Sequence, residues 1–248
     1  MPESTSRDTR GLFGRRRRRA RLHRAVRVLI GVVVLAVVAT GAWLVAFSSV
    51  LAADEVKVTG TDQLTSDQVV SAADVPLGRP LARIDLDAIE ERVRTLPAVE
   101  SVDVSRSWPG TVAISVTERT AVAWIESQGQ VKGVDKFGAD FRTFDAPPPL
   151  TEIRVETTDP RDRQQSLEGL GSVVATLRDQ APDLLAQIAY GEAQSQDSVT
   201  FHLLDGRSVR WGSSEDSERK LEVITALLAS VQASEYDVSA PEQPTTRA

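Results

Sequence analysis

Two histidines, His23 and His202, are the only imidazoles in a chain of 248 residues that contains no cysteine. A general base or an activated nucleophile needs such a group within hydrogen-bond reach of a partner. His23 lies in a run of arginines, and His202 alternates with apolar residues in "SVTFHLL", where a lone histidine is a surface or packing residue before it is a catalyst. There is no HExxH pair, no Gly-rich phosphate loop and no thiol, so metal, nucleotide and thiol chemistry all lack a motif. Asp and Glu are plentiful but scattered, as on a solvated acidic face. The residues therefore point to no active site, no metal, no cofactor and no small-molecule substrate.

Backbone chemistry is the better candidate. The chain ends on "YDVSAPEQPTTRA" (236–248), in which Tyr236 and Val238 would share one face of a strand and Asp237 and Ser239 the other, before Pro241 and Pro244 stop it. On this reading residues 236–239 form an exposed edge strand and 241–248 a flexible tail. An open edge either protects itself by being short or accepts a partner's extended segment through its free N–H and C=O groups. Tyr236, Asp237, Val238 and Ser239 are the candidate partner-binding residues, with Tyr236 as the anchor because it joins a large apolar area to a polar tip.

Charge tells where such an edge would be held. Residues 1–27 carry ten arginines, among them Arg15, Arg16, Arg17, Arg18 and Arg19, against Glu3 and Asp8. Of the 29 basic and 35 acidic residues in the chain, 19 and 33 remain for everything beyond, so a basic arm precedes an acidic body. Between Arg27 and Asp54 no residue is charged, and "VLIGVVVLAVVATGAWLVAF" (28–47) is long enough as a helix to cross the ~30 Å hydrocarbon core of a bilayer. Residues 28–50 are thus expected to be a transmembrane helix, with Trp43 and Phe47 at one interface and the arginines fixing the N-terminus in the cytoplasm. A cleaved signal peptide is the rival, since Val50-Leu51-Ala52 offers small residues, but such apolar regions usually run about 7–15 residues. The arginines orient the chain and touch anionic lipid; without interleaved aromatics they do not indicate nucleic acid.

The exported part must fold on its own core, with no disulfide. "EVKVTG" (55–60) reads as a strand, and Thr65 with Gln68 has the capping-box spacing for a helix over "TSDQVVSAADV". Asp85 can cap "LDAIEERVRTL" (86–96), whose Leu86, Ile89, Val93 and Leu96 share a face. "VESVDVSR" and "TVAISVTE" are strands joined by the "SWPG" turn. Strand, helix, helix, strand, strand makes a small α+β domain over 54–120, its three strands burying their valine faces under two helices. Trp108, in the turn before proline, reads as a packing element of that domain, and Trp211 could face either way.

The second half, 121–240, reads as β-rich with packed helices. "AVAWIESQGQVKGVDKFGADF" (121–141) holds two strands around Gly129, and the triple proline 147–149 bars pairing before "EIRVE" (152–156). The stretch 140–165 has little periodicity, which leaves its strand order open. A helix over 164–179 places Leu167, Leu170, Val174 and Leu177 together, and Asp205-Gly206 joins "SVTFHLL" to "RSVRW" as a hairpin. "SSEDSERKLEVITALLASV" is a helix opened by capping serines and acids, with Leu221, Ile224, Leu228 and Val231 inward.

The run "LPAVESVDVSRSWPGTVAISVTER", with Leu96, Pro97, Val99, Trp108, Pro109, Val116, Glu118 and Arg119 at matching positions, resembles the POTRA domain of the FtsQ/DivIB family of bacterial cell-division proteins. The end of the chain, through Gly206, Val209, Trp211, Gly212, Lys220, Asp237, Val238 and Ser239, is similar to the close of that family's distal β domain. The resemblance implies a single-pass membrane protein of the division septum. It implies a non-enzymatic divisome scaffold that binds FtsB and FtsL and links them to septal peptidoglycan synthesis, with FtsB docking at the terminal strand. The alternatives are a membrane-anchored exported wall enzyme, which lacks a constellation here, and a POTRA-bearing transport component, which lacks repeats: 122–239 does not repeat 54–120.

Overall fold

The computed structural model describes residues 26–41, 43, 51–157 and 159–248. Residues 26–41 are helical and exposed along their length. Among the described residues no helix is long and apolar enough to cross a membrane. The expected span 28–50 runs into residues 42 and 44–50, and the basic arm with Arg15 to Arg19 into residues 1–25, all of which lie outside the described residues.

The first sheet has three strands in the order β1-β3-β2, with β1 Glu55–Thr59, β2 Val99–Ser107 and β3 Thr111–Glu118. β1 runs parallel to β3, and β2 antiparallel to it. Parallel neighbours need a crossover, supplied by α1 (Ser66–Ala73) and α2 (Leu86–Arg94). Thr65 and Gln68 close a full capping box on α1, and Asp85 Oδ1 accepts the Ala88 N–H at the start of α2. Ile89 and Val93 from α2 and Val69 from α1 bury against Val112, Ile114 and Val116 of β3. At the end of β1 only glycine serves: Gly60 has φ +82°, and a Cβ there would lie 2.0 Å from the Val116 carbonyl oxygen.

The second sheet has nine strands, β4 (Ala123–Ser127), β5 (Gln130–Val134), β6 (Asp140–Phe144), β7 (Thr151–Val155), β8 (Ile188–Ala193), β9 (Val199–Leu203), β10 (Ser208–Gly212), β11 (Glu235–Asp237) and β12 (Thr245–Arg247), in the order β12-β11-β10-β9-β8-β7-β4-β5-β6. β4 (Ala123–Ser127) and β5 (Gln130–Val134) form a hairpin whose turn residues Gln128 and Gly129 both have positive φ. β6 (Asp140–Phe144) pairs with β5 in the aperiodic stretch. Pro147 to Pro149 then carry the chain from that edge back to the middle, where β7 (Thr151–Val155) runs parallel to β4. Helix α3 (Pro160–Gln180) begins earlier than the apolar spacing indicates, because Asp159 accepts the N–H groups of Arg161 and Asp162 ahead of a first turn whose only apolar side chain is Pro160. A single turn, α4 (Pro182–Leu185), leads to β8 (Ile188–Ala193), parallel to β7, then β9 (Val199–Leu203) and β10 (Ser208–Gly212).

Helix α5 (Ser217–Ser230) starts later than expected, and its serines do not cap it. Asp216 holds the N-cap in the left-handed region at φ 52° without a side-chain bond. The ammonium of buried Lys220 instead reaches back to the Ser213 carbonyl at 2.8 Å. Burial lowers the Lys220 pKa from its ordinary value, and the neighbouring acids Asp216, Glu215 and Asp197 oppose that shift. α3 and α5 cover one face of the sheet, so Leu167, Leu170, Val173 and Leu177 pack with Ile153, Phe201, Trp211 and Ile224. Trp211 is 1% exposed, and its ring meets Phe201 edge-on at 6.1 Å. The whole is α+β.

Candidate functional site

The chain ends at one edge of the nine-stranded sheet, but in a different order from that expected. β11 (Glu235–Asp237) pairs parallel with β10 on one side. On its other side it pairs antiparallel with β12 (Thr245–Arg247), in the register Glu235 to Arg247, Tyr236 to Thr246 and Asp237 to Thr245. The reading of Tyr236 to Ser239 as an open edge is therefore corrected: β11 is an interior strand, and residues 241–248 supply the edge rather than a loose tail. The two prolines that were expected to end the strand make its turn. Asp237 Oδ1 accepts from Ser239 N–H at 2.9 Å and from its hydroxyl at 2.6 Å, and Gln243 N–H donates to the Ala240 carbonyl, so the chain reverses between Val238 and Thr245.

Tyr236 and Val238 are 0% exposed, so Tyr236 is a core residue and not a surface anchor. Its hydroxyl donates to the Val231 carbonyl at 2.8 Å and accepts from Arg207 Nη1 and the Ala233 N–H, each at 3.2 Å. That network ties the exit of α5 and the β9–β10 turn to β11. Arg207 also grips Asp205 at 2.7 Å. The Arg207 N–H, and then its guanidinium, hold the Asp205 carboxyl below its ordinary range. Asp237 and Ser239 remain on the outer side, where Asp237 faces Arg210 at 3.8 Å.

All three residues of β12 are exposed. Paired on one side only, an antiparallel strand turns alternate backbone groups away from the sheet, free to bond an added strand. Arg210, Glu235, Asp237, Thr245, Thr246 and Arg247 line a shallow depression of about 150 Å³ at this rim. Arg247 sits 3.1 Å from Glu235, an exposed pair worth little in stability but enough to keep the edge polar. The geometry is that of an open sheet edge, to which a strand could be added.

Elsewhere on the uncovered face of the large sheet His202 is not isolated. Its Nε2 lies 2.9 Å from Glu192 Oε1, and its ring stacks on Tyr190 at 4.5 Å, with the Arg154 guanidinium 3.8 Å from the Tyr190 ring centre. Among the described residues no group of three or more His, Cys, Asp or Glu could hold a metal ion. Trp108, expected to pack, is 51% exposed.

Two residues carry roles that the sequence reading did not assign. Glu118 accepts from the N–H groups of Asp62, Gln63 and Leu64 at 2.8–2.9 Å, gathering the β1–α1 loop. Desolvation acts to raise its pKa, but the three donors outweigh it and hold the carboxyl below its ordinary value. Arg119, the next residue, reaches the other way: its Nη1 lies 2.5 Å from Asp135 Oδ2 at the end of β5. Asp135, 1% exposed, also accepts from the N–H groups of Phe137 and Ala139. The signal was the pair itself, since adjacent residues at a strand's end point to opposite sides.

Comparison with known proteins divides the chain in the same two parts. Residues 51–119 match the family model described as "POTRA domain, FtsQ-type", and residues 122–240 match "Cell division protein FtsQ/DivIB, C-terminal". The "Cell division protein FtsQ" of Streptomyces bingchenggensis is 40% identical over 240 residues, covering 92% of this chain and 88% of that protein. That of Streptomyces venezuelae is 40% identical over 236 residues, covering 93% and 87%. The "Cell division protein FtsQ" of Mycolicibacterium smegmatis is 32% identical over 225 residues, covering 90% of this chain and 66% of that protein.

Proposed function

Since the chain belongs to the FtsQ/DivIB family of cell-division proteins, we propose that it is a non-enzymatic scaffold of the divisome, whose C-terminal rim receives FtsB by strand addition. The observation that carries this reading is β12, a wholly exposed strand with a neighbour on one side only. An extended segment of FtsB would bond the outward N–H and C=O groups of Thr246, because Thr245 and Arg247 turn theirs inward to Asp237 and Glu235, and the side chains around the rim depression would select it. The chain would bind FtsL as well as FtsB and link the two to septal peptidoglycan synthesis.

In this reading residues 1–27 are a cytoplasmic arm and residues 28–50 a single transmembrane anchor, oriented by Arg15 to Arg19. The POTRA domain, 54–120, and the β domain, 121–240, then stand outside the cell membrane at the division septum. The β12 hairpin extends the second body beyond residue 240. The charge pattern supports this topology: ten arginines stand before the uncharged stretch and an acidic body after it.

The test is co-purification of the full chain with FtsB. Thr246→Pro removes a backbone donor from β12, so FtsB should be lost while the unfolding midpoint changes little. Retention of FtsB by this variant would contradict the reading.

A further inference from the structure

Residues 52–54, where the chain enters the small domain, are gripped from both sides. Ala53 N–H donates to the Arg79 carbonyl, and Gly78 N–H to the Ala53 carbonyl, each at 2.8 Å. On the other side Asp54 N–H donates to the Gly110 carbonyl at 2.9 Å. A Cβ on Gly110 would lie 2.4 Å from the Asp54 carboxylate and 2.8 Å from the Ala52 carbonyl, so the β2–β3 turn presses directly on the entering chain. Arg106, near the end of β2, donates to the carbonyls of Leu81 and Ile84 at 2.9 and 2.7 Å, which holds the loop before α2 at this same end of the sheet.

This rim presents two large apolar side chains, Leu77 at 57% and Trp108 at 51% exposure, on the two segments that flank residues 52–54. Elsewhere in the body, among the described residues, the large exposed apolar side chains are Val70, Phe137 and Leu204, which do not adjoin the chain entry. Arg79 is exposed two residues from Leu77, on a body that is acidic on balance. The nearby acids are Asp54, Glu55 and Asp85; Glu55 accepts from the Thr111 hydroxyl, and Asp85 caps α2. From Phe47, where the apolar run ends, to Leu51 there are four peptide steps, at most about 14 Å of extended chain.

We propose that this rim is a lipid-facing surface. Trp108 and Leu77 enter the headgroup region, and Arg79 lies among the lipid phosphates, so the small domain is docked on the bilayer and not merely tethered to it. The chemistry is that of interfacial anchoring: an indole with an apolar body and a polar N–H, an aliphatic side chain on the same rim, and a guanidinium group for phosphate. A short tether makes such contacts effectively intramolecular, so weak ones suffice. The inference rests on the reading of residues 28–50 as an anchor.

The chain has no cysteine, so single cysteines report unambiguously. Spin labels at Val38→Cys, Leu77→Cys, Trp108→Cys and Leu204→Cys are placed in the full chain, reconstituted in vesicles of phosphatidylcholine and phosphatidylglycerol. Collision rates are read with oxygen and with a water-soluble nickel chelate. The expected result is nickel shielding at 77 and 108 several-fold greater than at 204, with higher oxygen contact. If 38 lies in lipid but 77 and 108 behave like 204, the docking proposal is overturned and the anchor stands. If 38 is itself open to the nickel chelate, the anchor fails and docking fails with it.

Discussion

Tyr236 stands directly opposite Thr246 across the β11–β12 pair, and the two differ completely in exposure: Tyr236 is sealed in the core and Thr246 is open. The last nine residues, which hold both prolines, therefore decide which strand a partner can reach. Because the Tyr236 hydroxyl joins Val231, Ala233 and Arg207, β11 is the foundation on which the rim strand rests.

Tyr236→Phe keeps the ring and deletes the hydroxyl. The Val231 carbonyl and the Ala233 N–H lose their partner, which should cost about 1–3 kcal/mol. Tyr236→Ala should cost about 3–5 kcal/mol through the cavity it leaves. Denaturant unfolding checks both, and binding of FtsB should fall in step with stability, as for a residue supporting the rim from within.

Arg119→Ala strands the buried carboxylate of Asp135, which keeps only its two backbone donors. The expected loss is about 2–4 kcal/mol, toward the lower range for a broken buried pair because Arg119 is partly exposed. The i,i+4 pair Arg94–Glu90 is the control: Arg94→Ala should cost only about 0.3–0.5 kcal/mol. Equal losses in chemical unfolding would show that the Arg119 contact does not clamp the two halves.

Glu118 gives a pH signature. Its folded pKa lies below the ordinary 4.5, so the folded state prefers the ionised form. Its contribution to stability is fully present above the unfolded value and is lost as pH falls through the folded one. Glu118→Gln should lower stability by about 1–3 kcal/mol at neutral pH. The gap between the two proteins should narrow once pH drops below 4.5. Unfolding curves from pH 7 to 3 test this; a gap independent of pH would mean that the charge on Glu118 is immaterial.

What could be read in the sequence was local. Thr65 with Gln68, Asp85 before α2, and the alternating valines of β2 and β3 each carry their signal within a few residues, and the small sheet follows from them. Asp205-Gly206 marked its hairpin for the same reason. What escaped depends on distant groups. Thr245 to Arg247 is too short to show a period, and Pro241 and Pro244 read equally well as a stop or a turn until β11 is there to receive them. The start of α3 carries a local signal that the apolar spacing passes over, the Asp159 cap with Pro160 at the first helical position, and Asp216 opens α5 in a left-handed conformation instead of a side-chain cap. The motif Glu118-Arg119 was visible as a motif, but its work is done on residues 54–56 positions earlier and 16 later.

Hydrogen exchange of the Thr246 amide, the one in β12 that faces away from β11, in the full chain with and without FtsB, tests the central claim most directly. FtsB should slow exchange in this strand, while the amides of Tyr236 and Val238 stay protected in both states. Binding of FtsB with unchanged exchange at Thr246 would contradict strand addition at β12 and move the docking surface elsewhere.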